Sequence, residues 1–91
     1  MSAVVRTVLI TNRRGLHARA SAKFVTLASS QSCDVQVEKD GSGSVTGTSI
    51  MGLMMLGAAM GDSIIISASG DGADAAVACL AELVEAKFGE D

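Results

Sequence analysis

The stretch Cys33-Asp34-Val35-Gln36-Val37-Glu38-Lys39-Asp40-Gly41-Ser42-Gly43-Ser44-Val45-Thr46 decides the fold. Cys33, Val35 and Val37 alternate with Asp34, Gln36 and Glu38, the period of two that sends successive side chains to opposite faces of a strand. Asp40-Gly41 supplies the positive φ angles of a tight turn before Ser44-Val45-Thr46, so the two segments are predicted to pair as an antiparallel hairpin.

Upstream of the hairpin, Ala20, Phe24, Leu27 and Ala28 recur at helical spacing opposite a polar stripe of Arg19, Lys23 and Thr26, which predicts an amphipathic helix over Ala18 to Ala28. Before it, Val4 to Ile10 is a β-branched and aliphatic run that reads as a strand, with Arg6 leaving its inward face undecided. Downstream, Gly47 ends the hairpin, Thr48 or Ser49 can cap a two-turn helix over Ile50 to Leu56, and Gly57 stops it. Ser63 to Ser69 carries three successive isoleucines and reads as a central strand. Asp71 offers an N-cap to a last helix from Ala73 through Phe88, closed by Gly89, with Ala73, Val77, Leu80 and Val84 inward. The order is βαββαβα, an α+β fold. A sheet this small cannot cover two apolar faces, so a four-stranded antiparallel sheet with three helices on one face is expected.

Composition narrows the function. At 91 residues, 48% hydrophobic and 19% charged, with no proline, the chain has material for one core and one domain, residues 1–91. A net charge of -3 has the wrong sign for phosphate-backbone binding, and 2% aromatic content leaves no stacking platform, so no nucleic-acid partner is expected. The longest apolar run, Ile50 to Met60, is well short of the ~20 residues of a membrane helix. With no leader-like pattern at the start, the expectation is a soluble cytoplasmic protein with no membrane partner. Cys33 and Cys79 match no metal or redox spacing and read as two buried thiols in a reducing compartment. Neither a metal nor a cofactor is expected.

The chemistry gathers in Asn12-Arg13-Arg14-Gly15-Leu16-His17-Ala18-Arg19, between the first strand and the first helix. Helix N-termini bind anions, because the first N–H groups lack intrahelical partners and the macrodipole adds partial positive charge. The same field disfavours imidazolium, so His17, at an exposed helix start, offers a nitrogen lone pair for attack on phosphorus. Arg19 can present forked donors to the same anion. Neighbouring sequence contains no second histidine, acid or glycine-rich nucleotide loop, which suits a relay fed by a partner rather than a hydrolase. The residues alone also allow a module that holds an anion without covalent transfer, and a purely structural interaction domain.

The run Gly15-Leu16-His17-Ala18-Arg19, followed by Ser49-Ile50-Met51-Gly52-Leu53-Met54 and then Ser67-Ala68-Ser69-Gly70, resembles the HPr phosphocarriers of the bacterial phosphotransferase system. The resemblance covers nearly the whole chain. It implies an open-faced β-sandwich and a carrier rather than an enzyme. It further implies phosphorylation of His17 at Nδ1 by phospho-Enzyme I, phosphate stabilisation by Arg19, and onward transfer to EIIA-type proteins. Ser49 matches the serine that HPr kinase/phosphorylase modifies in some branches of the family, and it also suits a plain N-cap. Ile50, Met51 and Met54, with Met55, would form an adaptable apolar docking patch beside His17, with Ala20 at its margin and some of these side chains turned into the core. Two positions depart from the family pattern: Ala20 stands where proline is usual, and Thr48 where a basic residue often precedes the serine. Sugar-uptake and nitrogen-regulatory carriers share these features, so the branch stays open.

Overall fold

Val35 and Val37 are buried and Gln36 and Glu38 exposed, and their strand pairs antiparallel with the next through Gln36–Thr46, Val37–Val45 and Glu38–Ser44. The computed structural model describes residues 3–40 and 43–90; Gly41, half of the proposed hairpin turn, lies outside them. The elements are β1 (Ala3–Leu9), α1 (Ala18–Ser29), β2 (Val35–Lys39), β3 (Gly43–Thr46), α2 (Ile50–Met55), β4 (Ser63–Ser69) and α3 (Ala73–Glu85), followed by a 3-10 turn at Lys87–Gly89. This is the expected α+β order, a four-stranded antiparallel sheet with three helices on one face.

The sheet order is β1-β4-β2-β3. β4 is flanked on both sides, which is why an isoleucine-rich strand sits there: Ile64 and Ile66 point to the helices, opposite Val8 and Arg6 on β1 and Lys39 and Val37 on β2. Val8 and Val4 settle the inward face of β1. Arg6 shares that face near its margin, where its guanidinium reaches Glu85 of α3 at 3.1 Å. Val5 and Leu9 project from the other face and are exposed.

Over the inner face lie Phe24, Ala20 and Ala28 of α1 and Ala76, Val77, Leu80, Ala81 and Val84 of α3, all buried. The many alanines let backbone approach backbone, and the two phenylalanines, Phe24 and Phe88, fill what remains. Full burial of each aromatic is worth about 1.5–3 kcal/mol relative to exposure.

Three expectations are corrected. The N-cap of α3 is Gly72, at φ 84, rather than Asp71. That helix ends at Glu85 rather than continuing through Phe88: Lys87 and Phe88 take left-handed backbone angles, φ 58 and 56, because the Phe88 ring must fold back into the core instead of pointing along the helix face. The thiols are not both buried; Cys79 is on the exposed side of α3 and Cys33 is only partly covered.

The ends of β1 and β4 are tied where the site begins. Ile10 donates to the Asp62 carbonyl at 2.8 Å, and Gly61 donates to the Ile10 carbonyl at 2.9 Å. The Asp62 carboxylate accepts from the Ala59 amide at 2.9 Å and lies 3.3 Å from Lys39 Nζ; these contacts, the amide first, hold its carboxyl below the usual range.

Candidate functional site

Residues 11–17 leave β1 in a loop whose path is set by Gly15 and Leu16. Gly15 sits at φ +62, and a Cβ there would overlap the Ala58 carbonyl and approach Ala59 Cα to 2.8 Å, so the loop presses against the chain leaving α2. Leu16 is buried and its amide donates to the Ala58 carbonyl at 3.0 Å. The next residue, His17, falls at the N-cap of α1 with extended backbone angles, φ -72 and ψ 179, and its carbonyl accepts from the Ser21 amide at 2.9 Å.

The His17 side chain is less open than an exposed helix start suggests: 21% of it is accessible. Its Nε2 lies 2.6 Å from Oε2 of Glu90. The other carboxylate oxygen, Oε1, accepts from Asn12 Nδ2 at 3.0 Å, and the same amide nitrogen donates to the Gly15 carbonyl at 2.9 Å. Asn12 is fully buried. Both neighbours of Nδ2 are acceptors, which fixes the orientation of the amide.

Glu90 reaches this position because the tail doubles back. Phe88 anchors it in the core, Lys23 Nζ donates to the Phe88 carbonyl at 2.6 Å, and the Glu90 amide donates to the Lys87 carbonyl at 2.8 Å. The Glu90 carboxyl is held below its ordinary range, first by the Asn12 hydrogen bond and then by His17, with the charges of His17 and Lys23 adding to them. A carboxylate can only accept, so Nε2 carries the hydrogen. The tautomer assigned from this contact leaves the lone pair of the neutral ring on Nδ1.

Around Glu90 the surface is basic. Arg13, Arg14, Arg19 and Lys23, with Gly89 and Glu90, line an open depression of about 470 Å³. Among the described residues, Arg13, Arg14 and Arg19 form no ion pair, so their guanidinium donors face the depression unspent. Arg19 lines the depression that Glu90 shares, and His17 contacts the same Glu90. Together they offer an aromatic nitrogen nucleophile, the free amides of a helix N-terminus and forked cationic donors, which is equipment for holding a phosphoryl group.

α2 presents the apolar surface. Ile50, Met51, Met54 and Met55 are 41%, 69%, 42% and 79% exposed, while Leu53 is the buried residue within the helix. The expectation that some of the four turn inward gives way to a simpler division, because Leu53 and Leu56 alone suffice to anchor so short a helix. Ala20 is a correction: at 0% exposed, packed under α1, it has no surface to give a partner. Ser49 is the N-cap of α2, its Oγ accepting from the Gly52 amide at 3.0 Å, and Thr48 is exposed beside it.

Sequence reasoning missed Glu90 and Asn12. Glu90 is 73 positions from His17 and had no pattern to mark it; Asn12 stood within the loop but carried no sign of burial. Among the described residues no group of three or more His, Cys, Asp and Glu is placed to hold a metal, and no helix is long and apolar enough to cross a membrane.

An open-faced sandwich of this order, with a histidine at the N-cap of its first helix, defines the class of small phosphocarrier domains. The family described as "PTS HPr component phosphorylation site" matches residues 4–86. The chain belongs to that family, the HPr phosphocarriers of the phosphotransferase system. It is 41% identical over 83 residues to the phosphocarrier protein HPr of Pseudomonas aeruginosa, covering 91% of this chain and 92% of that protein. It is 39% identical over 90 residues to the phosphocarrier protein NPr of Shewanella violacea, covering 99% and 98%. The crystal structure of HPr from Thermoanaerobacter tengcongensis superposes with a TM-score of 0.88 at 45% identity, over 100% of this chain and 99% of that one.

A carboxyl whose titration is lowered by folding stabilises the fold above its ordinary range and ceases to do so as pH falls through the lowered value. Glu90→Gln is therefore expected to lower the urea midpoint at about pH 6, with the gap to the parent closing as pH falls out of the ordinary carboxyl range and through the lowered value. Urea unfolding at a series of pH values checks this; a gap that acid leaves unchanged contradicts the assigned contact.

Proposed function

We propose that residues 1–91 act as one cytoplasmic phosphocarrier domain in which His17 Nδ1 accepts a phosphoryl group from phospho-Enzyme I and passes it to EIIA-type proteins. The observation that carries the reading is the hydrogen bond from Nε2 to Glu90, which fixes the ring and leaves the Nδ1 lone pair uncommitted. Attack by that lone pair on phosphorus needs no general base, because the nitrogen has no proton to lose. Arg19 and the amides at the start of α1 then stabilise charge on the phosphoryl oxygens. The protein does not turn over a substrate by itself; a partner supplies the group and another removes it. Ile50, Met51 and Met54 provide the docking surface, apolar and flexible enough to receive more than one partner.

Regulation at Ser49 is part of the same reading. A phosphate there, carrying about -1.5 to -2 charge, is tolerated by the first turn of α2 but places that charge beside Ile50 and Met51, where a docking partner has to desolvate it.

Incubation with phosphoenolpyruvate and Enzyme I is expected to give the parent an acid-labile, alkali-stable adduct and to give folded His17→Ala none. Arg19→Ala is expected to slow transfer by about one to two orders of magnitude, with partial recovery in Arg19→Lys. An adduct on His17→Ala at the parent's rate contradicts the proposal.

With HPr kinase/phosphorylase, mass spectrometry of peptides is expected to locate phosphate on Ser49 and not on Thr48. Ser49→Asp is expected to keep its circular dichroism spectrum while accepting phosphate on His17 about tenfold more slowly. Modification at Thr48, or an aspartate variant as fast as the parent, leaves Ser49 only its capping role.

A further inference from the structure

Glu90 touches the imidazole on the nitrogen that does not react, and the contact is clamped. Its Oε2 is 2.6 Å from His17 Nε2 and its Oε1 is 3.0 Å from the buried Asn12 amide, so neither oxygen is available to rotate away without breaking a bond. The backbone beneath is held by the buried Phe88 ring, by Lys23 on the Phe88 carbonyl, and by Gly89 and Glu90 amides donating to Ala86 and Lys87 carbonyls at 3.0 and 2.8 Å. Every other charged group around the depression is cationic: Arg13 and Arg14 from the loop, Arg19 and Lys23 from α1. Glu90 is the one anion placed against the ring among the described residues. On the carrier reading of His17, on which this inference rests, that arrangement has a consequence for the phosphorylated state.

We propose that Glu90 is a positioning residue that keeps a proton on His17 Nε2 through the whole transfer cycle, and so keeps the phosphorylated ring a ready donor. In the loading step the Nδ1 lone pair forms the bond to phosphorus while the bond from phosphorus to the partner's nitrogen breaks, its electron pair staying with the partner. The ring then bears phosphorus on Nδ1, hydrogen on Nε2 and a positive charge, and the Glu90 carboxylate lies against that N–H. In the unloading step the next acceptor's lone pair bonds to phosphorus, the Nδ1–P bond breaks, and its pair returns to Nδ1. What leaves is neutral imidazole in its starting tautomer. Had the Nε2 proton been lost in between, the leaving group would be an imidazolide anion, a far poorer one. No proton has to enter or leave the ring, and the hydrogen bond to Glu90 is made in the free protein and strengthened by charge in the loaded one.

The cationic groups suit the phosphoryl oxygens: Arg13, Arg14, Arg19 and Lys23 line the depression beside Glu90, whereas the group in contact with Nε2 is the Glu90 carboxylate. Asn12 acts one step further back, by holding the carboxylate.

The test compares the parent, Glu90→Gln and Glu90→Asp after loading with phosphoenolpyruvate and Enzyme I, following loss of the phosphohistidine signal by phosphorus NMR between about pH 5 and 9. In the parent, rapid hydrolysis is expected to persist to higher pH than in Glu90→Gln. At neutral pH the glutamine variant is expected to hold its phosphate about three- to tenfold longer and to give it up correspondingly more slowly to an EIIA-type acceptor, with Glu90→Asp between the two. A residue that merely braced the tail would change stability and leave this pH profile in place. If loaded Glu90→Gln hydrolyses with the parent's profile, the role of Glu90 is overturned and the carrier reading stands. If the parent takes no phosphate on His17, both fall.

Discussion

Leu16 and Phe88 are buried in the same core, 4% and 1% exposed, and the polar contacts of the site hang from these two anchors. Leu16 draws the loop after β1 down against Ala58 and leaves His17 at the N-cap of α1. Phe88 draws the tail back across the same end of the molecule, at the expense of two left-handed backbone positions at Lys87 and Phe88. Glu90 meets His17 because Leu16, just before His17, and Phe88, two residues before Glu90, are apolar and have to be covered. Asn12, fully buried beneath them, joins the two segments by donating to Gly15 and to Glu90. Hydrophobic burial supplies the positioning, and the hydrogen bonds select which atoms face one another.

The fold was legible because its strands and helices carry clean periods. Val35 and Val37 alternate with polar neighbours, the isoleucines of β4 mark a central strand with a paired strand on each side, and α1 shows Ala20, Phe24 and Ala28 on one face. Where local pattern and tertiary demand diverged, sequence reading failed. Helical spacing in α3 runs on to Phe88, yet the ring is buried by a turn rather than by a helix, and no local signal distinguishes the two. Ala20 looked like a neighbour of the site in sequence and is indeed beside it, but on the inward side of α1. Cys79 lies among buried residues in sequence and occupies the outer face.

The site was half legible. His17 and Arg19 stand in a short loop-to-helix segment whose helix N-terminus suits an anion, and the resemblance to the HPr phosphocarriers is what singled them out. Glu90 could not be named, because its partner is 73 positions away and the contact exists only when Phe88 is packed. The missing acid changes the chemical picture. Helix dipole and arginines alone do not say which ring nitrogen carries the proton; a carboxylate against Nε2 assigns it there and leaves the lone pair of the neutral ring on Nδ1. On the proposed carrier reading, the basic rim stabilises the group, the fixed tautomer accepts it, and the exposed methionines of α2 recognise those who give and take it.

The most direct test of this account is long-range proton–nitrogen NMR of the His17 ring, first in the free protein near neutral pH and then after loading by phospho-Enzyme I. A proton on Nε2 and a lone pair on Nδ1 are expected in the neutral ring of the free protein, with phosphorus bonded to Nδ1 in the loaded one. A neutral ring protonated at Nδ1, or phosphorus found on Nε2, would contradict it.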